Sequence, residues 1–247
     1  MPLLGHWLVF LPNVRQSEIG SDGHPKRGVF LPPIHDLPRR MWAGSRISFP
    51  TKLRVGENVS QRSTILSVKA KNGASGPLVF VTVRHEISNG SGAPAIIEEQ
   101  DIVYRGLEAS AVKQDVPPVE IGAWQGSVRA DPVMLFRYSA LTFNSHRIHY
   151  DRDYATQVEG YPGLVVQGPL IAMLLLDLIR RSRPELRIST FSFRSVSPLF
   201  DGTRVSLNGK PPETDGVVRL WASSDDGRLV MTAEAAVDEG PNVESRA

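Results

Sequence analysis

The segment Val166–Arg181, with the sequence VQGPLIAMLLLDLIRR, decides the fold of this 247-residue chain. Its apolar residues occupy nearly every side of a helix, which predicts a helix that is buried all round. Gly168 and Pro169 are typical of a helix start, because proline suits the first helical position. Pro184 is expected to stop the helix. A helix of this kind needs apolar cover in every direction.

Segments rich in β-branched and aromatic residues follow this helix and predict four antiparallel strands. They are Leu186–Val196, Thr203–Leu207, Val217–Ala222 and Arg228–Val237. Asn208-Gly209 and Asp225-Asp226-Gly227 are typical hairpin turns. A single sheet that curls around the helix would cover it. The second half is therefore predicted to be α+β, with an antiparallel sheet wrapped around a buried central helix.

The first half carries a second β meander. Its predicted strands are Arg46–Val55, Val59–Ala70, Leu78–Ile87 and Ile96–Tyr104, and a helical turn is expected over Leu37–Gly44. Residues 107–122, which contain Pro117-Pro118, are predicted to be a linker. The chain is thus divided into an N-terminal half, residues 1–106, and a C-terminal half, residues 123–247. The two meanders suggest two copies of one fold.

Composition excludes several classes of function. The formal net charge is only +2, and the basic residues are spread along the chain, so we expect no nucleic-acid partner. The absence of cysteine excludes disulfides, thiolate metal sites and a cysteine nucleophile. No apolar segment approaches the roughly 20 residues of a membrane span. We expect no membrane partner and a cytoplasmic location.

The segment Tyr138–Asp151, YSALTFNSHRIHYD, concentrates polar side chains behind a predicted helix that begins at Asp131-Pro132. Histidine accepts and returns a proton near neutral pH. The helix start at Gly168 offers free N–H groups and a favourable dipole to a developing negative charge. Together they suggest a site that handles water beside that charge. The alternatives are a histidine that shapes a loop and an ordinary helix start.

This segment resembles the signature of the MaoC-like, or hydratase-2, family of hot-dog-fold acyl-thioester hydratases. The matching positions are Tyr138, Leu141, Thr142, Ile148, His149 and Asp151. The family's catalytic histidine falls on His149, and its catalytic aspartate falls on Asn144, a departure. Its glycine, asparagine and proline fall on Phe143, His146 and Arg147, which are departures too.

The string is more similar to one branch of the family, which contains mesaconyl-C4-CoA and itaconyl-CoA hydratases and the mitochondrial 3-hydroxyacyl-thioester dehydratase. Leu37–Gly44 and Tyr161–Pro169 carry the same likeness. It implies a double hot-dog fold whose first copy binds acyl-CoA and whose second performs the chemistry. The family's first copy has a helix upstream of the position of Trp7. Either this copy is incomplete and lacks its helix, or the start is truncated.

The resemblance implies roles for individual residues. The expected catalytic residues are His149, Asn144 and Gly168, and the expected substrate-binding residues are His146, Arg147, Tyr138 and Gln167. Because an amide is no base, the proton transfers would rest on His149 alone, or Asp151 or Asp153 would polarise it. Asn144 could instead shape the loop. No metal and no cofactor are expected, since His146 and His149 lack a third ligand with convincing spacing.

The implied function is hydration of a 2-enoyl-CoA thioester, with mesaconyl-C4-CoA or itaconyl-CoA as the most specific substrates, or the reverse dehydration of a 3-hydroxyacyl thioester. The alternatives are a hot-dog thioesterase and a non-catalytic acyl-thioester-binding protein. The partner would be acyl-CoA or an acyl-carrier protein, and a homodimer fits the fold. Arg147 or Arg194 could hold a free carboxylate. Each of four further arginines is expected either to contact the CoA phosphates or to lie solvated at the surface; they are Arg39, Arg40, Arg180 and Arg181.

Overall fold

A computed structural model describes residues 1–73, 76–106 and 119–238. These residues form nine strands and two α-helices. In chain order the elements are β1 (Arg39–Ser48), β2 (Ser60–Gly73), β3 (Gly76–Ser88), β4 (Pro94–Arg105), β5 (Trp124–Arg129), α1 (Pro132–Thr142), α2 (Gly168–Ser182), β6 (Arg187–Ser195), β7 (Arg204–Lys210), β8 (Val217–Ser223) and β9 (Leu229–Asp238). Within the same residues no helix is both long and apolar enough to cross a membrane.

All nine strands belong to one antiparallel sheet in the order β2-β3-β4-β1-β6-β9-β8-β7-β5. The pairing of β1 with β6 joins the two halves, and Gly44 lies opposite Arg194 there. A Cβ at Gly44 would lie 2.3 Å from the carbonyl oxygen of Phe193, so only glycine permits this close approach. The predicted antiparallel fold is confirmed.

The helix α2 packs against β5, β7, β8 and β9, which curve around it. The side chains of Ile171, Leu175 and Ile179 are almost completely buried. A Cβ at Gly126 would lie 3.5 Å from a Leu178 methyl carbon, an ordinary packing distance, so α2 packs directly against β5 here. A buried leucine of this kind contributes roughly 2–5 kcal/mol relative to alanine. The buried central helix predicted from the sequence is confirmed.

Among the described residues of the first half there is no α-helix, and residues 1–38 cover the sheet instead. Leu4 belongs to the main core. Leu37, with Leu31 and Ile34 around it, packs in a smaller core against β3 and β4. Residues of this segment therefore contribute to both cores in the absence of an α-helix among the described residues of the first half.

A buried carboxylate fixes the start of this segment. Glu98 of β4 accepts hydrogen bonds from Trp7 Nε1 at 3.0 Å and Ser45 Oγ at 2.7 Å, and it pairs with His6 Nε2 at 2.9 Å. Burial alone would raise the pKa of Glu98, but the contact with His6 and the other hydrogen bonds outweigh burial and lower the pKa. Glu98 therefore stays ionised and ties the chain start to β1 and β4.

The predicted helical turn over Leu37–Gly44 and the strand Arg46–Val55 were wrong, because a single strand, β1, spans Arg39–Ser48. Its pairing with β4 and β6 supplies backbone hydrogen bonds that local propensity cannot reveal. Pro50, which has no N–H to donate, follows the end of β1.

The predicted turn at Asn208-Gly209 was also wrong, because both residues lie inside β7. A Cβ at Gly209 would lie 2.9 Å from a Leu220 methyl carbon and 3.2 Å from the Trp124 ring, so this glycine serves close packing. The turn at Asp225-Asp226-Gly227 is confirmed, with Gly227 at φ +76°. Of the predicted linker, residues 107–118 lie outside the described residues.

Candidate active site

Helix α1 precedes the polar segment, residues 144–151, and positions its start. Asp131 caps its start by accepting a hydrogen bond from Met134 N at 2.8 Å, as predicted. Phe143 ends the helix in the left-handed conformation, at φ +52°, and Asn144 N then donates to Ser139 O at 2.9 Å. This tight C-terminal turn reverses the chain and directs it toward His149.

His149 is buried, and its orientation follows from one hydrogen bond. Its Nδ1 lies 2.7 Å from the carbonyl oxygen of Val165. Because a carbonyl can only accept, Nδ1 must carry the proton, which leaves a lone pair on Nε2 of the neutral ring. Nε2 makes no hydrogen bond to any other described residue. The free nitrogen is therefore available as a base.

The same contact places His149 beside the start of α2. Val165 N donates to Ile148 O at 2.9 Å, so two hydrogen bonds join the segments around residues 148 and 165. Val165 precedes Gly168 by three residues, which span at most about 11 Å of extended chain. His149 thus lies close to the N-terminus of the buried helix.

Burial also sets the charge of His149. It lowers the pKa of this imidazole to about 4, and the hydrogen bond to Val165 opposes the shift only in part. The ring is consequently neutral at pH 7. No carboxylate accepts from its Nδ1, because Val165 occupies that position, and Asp151 instead receives Tyr154 N at 3.0 Å.

His146 lies between His149 and the N-terminal segment. Its ring meets that of His149 edge to face, with centroids 5.4 Å apart. Burial first, and the neighbouring His24 and His149 next, lower the pKa of His146, so this ring is neutral as well. Asn144 Oδ1 accepts from His146 N at 3.1 Å, which shows that Asn144 shapes this loop.

Two residues that the sequence did not single out, Asp22 and His24, complete the cluster. The His24 ring stacks on His146 with centroids 3.9 Å apart, and His24 Nδ1 lies 3.1 Å from Asp22 Oδ2. Burial lowers the pKa of His24 to about 4. Burial would raise the pKa of Asp22, but its hydrogen bonds with His24 prevail and lower it to about 2. No sequence signal connects these residues to His146, since 122 positions separate the two segments.

Gly23 lets this loop dock. A Cβ there would lie 1.8 Å from the carbonyl oxygen of Ser145, and the φ of +87° also favours glycine. Where the two segments meet, Arg147 N also donates to Asp22 O at 2.9 Å. The N-terminal half therefore reaches across the molecule and forms one wall of the histidine cluster.

Asp22, His24 and His146 each place a potential ligand atom within 4.8 Å of the others. Two imidazoles and a carboxylate can bind a divalent transition metal. The positive charge of Arg40 acts on all three residues, however, and it opposes a second cation.

The start of α2 is as the sequence predicted. Gly168 is its first residue, and Pro169 supplies no N–H, so Gly168 and Leu170 carry the first free amide groups. A Cβ at Gly168 would lie 3.4 Å from Ser195 Oγ. The buried Gln167 donates from Nε2 to Leu135 O and Ser139 Oγ, both at 3.0 Å, and so fixes this helix start against α1.

The other predicted binding residues have structural partners. Arg147 donates to Asp151 Oδ2 from Nε at 2.9 Å and Nη2 at 2.7 Å, and its guanidinium lies 4.2 Å from the Tyr154 ring centroid. Tyr138 is buried, with its hydroxyl 3.7 Å from Met173 Sδ. Arg39, a candidate for CoA phosphates, is buried in an ion pair with Glu159 at 3.0 Å.

Comparison with known proteins identifies relatives for nearly the whole chain. The family model described as hydroxyacyl-thioester dehydratase type 2 matches residues 4–201. The mesaconyl-C4-CoA hydratase of Chloroflexus aurantiacus is 48% identical over 238 residues, which cover 94% of this chain and 82% of that protein. The mitochondrial hydroxyacyl-thioester dehydratase type 2 of Schizosaccharomyces pombe is 27% identical over 220 residues, covering 79% of this chain and 73% of the relative.

Solved structures support the fold. A MaoC-like dehydratase superposes with a TM-score of 0.64 at 14% identity and covers 82% of this chain and 76% of its own. A Mycobacterium tuberculosis protein described as having a double hotdog fold superposes with a TM-score of 0.54 at 14% identity, covering 83% of this chain and 76% of its own. At these identities the likeness concerns the fold alone.

Proposed function

Because the chain belongs to the hydroxyacyl-thioester dehydratase type 2 family, we propose that it adds water to a 2-enoyl-CoA thioester, or removes water in the reverse direction, with mesaconyl-C4-CoA as the substrate. The observation that carries the proposal is the neutral His149 with its lone pair on Nε2, held beside the start of α2. The name of the 48% identical relative supports the choice of substrate.

The proposed reaction begins with water between His149 Nε2 and C3 of the enoyl group. Nε2 removes one proton as the water oxygen bonds to C3, and the electron pair of the C2=C3 bond moves onto the thioester oxygen as an enolate. Amide groups at the start of α2, those of Gly168 and Leu170, donate to this oxygen. The imidazolium then returns the proton to C2, and the thioester carbonyl re-forms.

The low pKa of His149 suits this sequence. A buried imidazolium is unstable, so the proton passes readily to the carbanionic C2 of the enolate. The fixed Nδ1–H prevents the ring from offering the wrong tautomer to the water. Asn144 and His146 would then align the water and form the wall of the pocket, while Tyr138, Arg147 and Gln167 hold that wall in place.

Further parts of the proposal concern the wider molecule. We propose that residues 1–106 contribute to acyl-CoA binding and that residues 123–247 carry the chemistry, because His149 and Gly168 both belong to the second half. A homodimer and a cytoplasmic location are proposed as well. Gel filtration with light scattering tests the first, and fractionation of cells that express the chain tests the second.

The activity is tested with mesaconyl-C4-CoA, itaconyl-CoA and crotonyl-CoA. Loss of the conjugated enoyl absorbance reports hydration, and a thiol reagent reports thioester cleavage. We expect hydration without thiol release, and we expect His149→Gln to lower kcat by about 10²–10⁴. His35→Gln, at an exposed position, is the matched control. Thiol release would favour a thioesterase, and binding without either reaction would favour a non-catalytic binding protein.

A further inference from the structure

Arg40 is a cation of the sheet that forms no direct ion pair among the described residues, although the charge of Asp22 acts on it. It lies on β1 directly opposite Tyr104 of β4, and cross-strand partners share one face of a sheet. Its neighbour Arg39 projects from the opposite face, where it pairs with Glu159. Arg40 is half-buried, but among the described residues no carboxylate lies within 4.0 Å of its guanidinium.

The neighbouring arginines have partners of their own. Arg27 donates to the carbonyl oxygen of Leu37 at 2.9 Å and to those of Ile34 and Pro38, and it lies over the Tyr104 ring. A half-buried cation without an ion pair is unfavourable unless something else neutralises it. This contrast indicates that an anion from outside the chain completes the surroundings of Arg40.

The Tyr104 hydroxyl interacts with Arg40 and lacks a further partner. Tyr104 is completely buried, and its hydroxyl forms no hydrogen bond of good geometry among the described residues. Buried hydroxyl groups are almost always hydrogen-bonded, because an unpaired one costs about 1–3 kcal/mol. A guanidinium and a phenol on the same face of the sheet offer donors and no anionic acceptor, which matches the needs of a carboxylate.

The location of this pair connects it to the chemistry. The charge of Arg40 acts on Asp22, His24 and His146, and the ring of His146 contacts that of His149. Arg40 therefore acts on a ring that is in direct contact with the ring of the proposed base. An anion held by Arg40 would therefore lie beside the histidine cluster.

The chemistry of the proposed substrate requires a cation close to the base. When a mesaconyl group is esterified to CoA at C4, its free carboxylate is bonded to the same carbon that receives water. The cation that holds it must consequently be a near neighbour of the base. Arg194 fails this requirement because it lies on the exposed face of β6, and Arg147 is engaged by Asp151.

We propose that Arg40, assisted by the Tyr104 hydroxyl, binds the free carboxylate of the substrate's acyl group and selects dicarboxylic over monocarboxylic enoyl-CoA. This inference rests on the proposed hydratase function. Crotonyl-CoA, which has no carboxylate, leaves both groups unpaired and is the poorer substrate for that reason.

The test compares kcat/KM for mesaconyl-C4-CoA and crotonyl-CoA in Arg40→Met, Arg40→Lys and Tyr104→Phe. We expect Arg40→Met to lower the preference for mesaconyl-C4-CoA by roughly 10–100-fold, the range for a hydrogen-bonded charge. Arg40→Lys should restore part of the preference, and Tyr104→Phe should lower it by a smaller factor. Arg46→Met is the control, since Arg46 lies exposed on the same strand and pairs with Asp101.

The outcomes separate the two proposals. If the unmodified protein hydrates neither substrate, the proposed function fails; if it hydrates only crotonyl-CoA, the function stands and the carboxylate site is refuted. Equal losses on both substrates in Arg40→Met would show a structural role and overturn the inference. Should Arg40→Met not fold, Tyr104→Phe decides, because it removes one oxygen atom only, and an unchanged preference would then contradict the proposal.

Discussion

Replacing Gly168 by alanine separates catalysis from stability. A Cβ at this position would meet Ser195 Oγ at 3.4 Å and Met231 Cε at 3.9 Å, which are ordinary contacts. The backbone there is not left-handed, since Gly168 is absent from the positive-φ glycines among the described residues. Alanine is favoured over glycine inside a helix by up to about 1 kcal/mol, and less at the first turn. We therefore expect an unchanged or slightly raised Tm.

Activity should respond very differently. In the proposed mechanism the thioester oxygen approaches the amide groups of Gly168 and Leu170, and a methyl group added at Gly168 would crowd that approach. Loss of one such hydrogen bond, or a displacement near 1 Å, lowers a rate by about 10²-fold or more. Steady-state hydration of enoyl-CoA measures this loss, with circular dichroism melting as the parallel stability assay. Gly106→Ala, at a position where no atom of the described residues lies within 4 Å of the new Cβ, is the matched control. Full activity in Gly168→Ala would refute the assignment of the oxyanion site.

Three further predictions concern stability. Glu98→Gln should lose about 3 kcal/mol in urea unfolding, because it breaks a buried charged network. Gly23→Ala should displace the N-terminal loop from Ser145, and limited proteolysis should then cut that loop faster than in the unmodified protein. In the folded protein His24 and His149 each have a pKa of about 4, compared with 6.5 for an unfolded histidine. Between pH 4 and pH 6.5 the unfolded chain therefore binds more protons than the folded protein. The free energy of unfolding should thus be at its full value above pH 6.5. As the pH drops toward 4, it should fall by up to about 1.4 kcal/mol per pH unit for each of the two histidines. Melting temperatures measured across that pH range would reveal the loss.

Local signals in the sequence were sufficient for the two helices of the second half, although the turn expected at Asn208-Gly209 was wrong. The start of α2 at Gly168 follows from its Pro169, and the start of α1 follows from the Asp131 cap, because both depend on neighbouring residues alone. The strand β1 could not be predicted in the same way. Its pairing partners, β4 and β6, lie 46 or more residues further along the chain.

In the candidate site, too, local features were predicted and long-range contacts were not. His149 carries a family motif and was predicted, whereas Asp22, His24 and Arg40 were not connected to it. Asp22 and His24 reach the histidine cluster through the docking of the N-terminal segment, which depends on the contact of Gly23 with Ser145, whereas Arg40 is placed by the pairing of β1 with β4. The orientation of the His149 ring was equally hidden, since a backbone carbonyl, and not a carboxylate, fixes its tautomer.

The protonation of the two His149 nitrogens tests the proposed role of this residue as the base. Long-range ¹⁵N–¹H correlation spectra of the histidine-labelled protein, assigned with His149→Gln, report each nitrogen separately. We expect a protonated Nδ1 and an unprotonated Nε2 at pH 7, with that pattern persisting to about pH 5. A proton on Nε2 at pH 7, in either the opposite tautomer or the imidazolium, would contradict it, because no lone pair would then face the water.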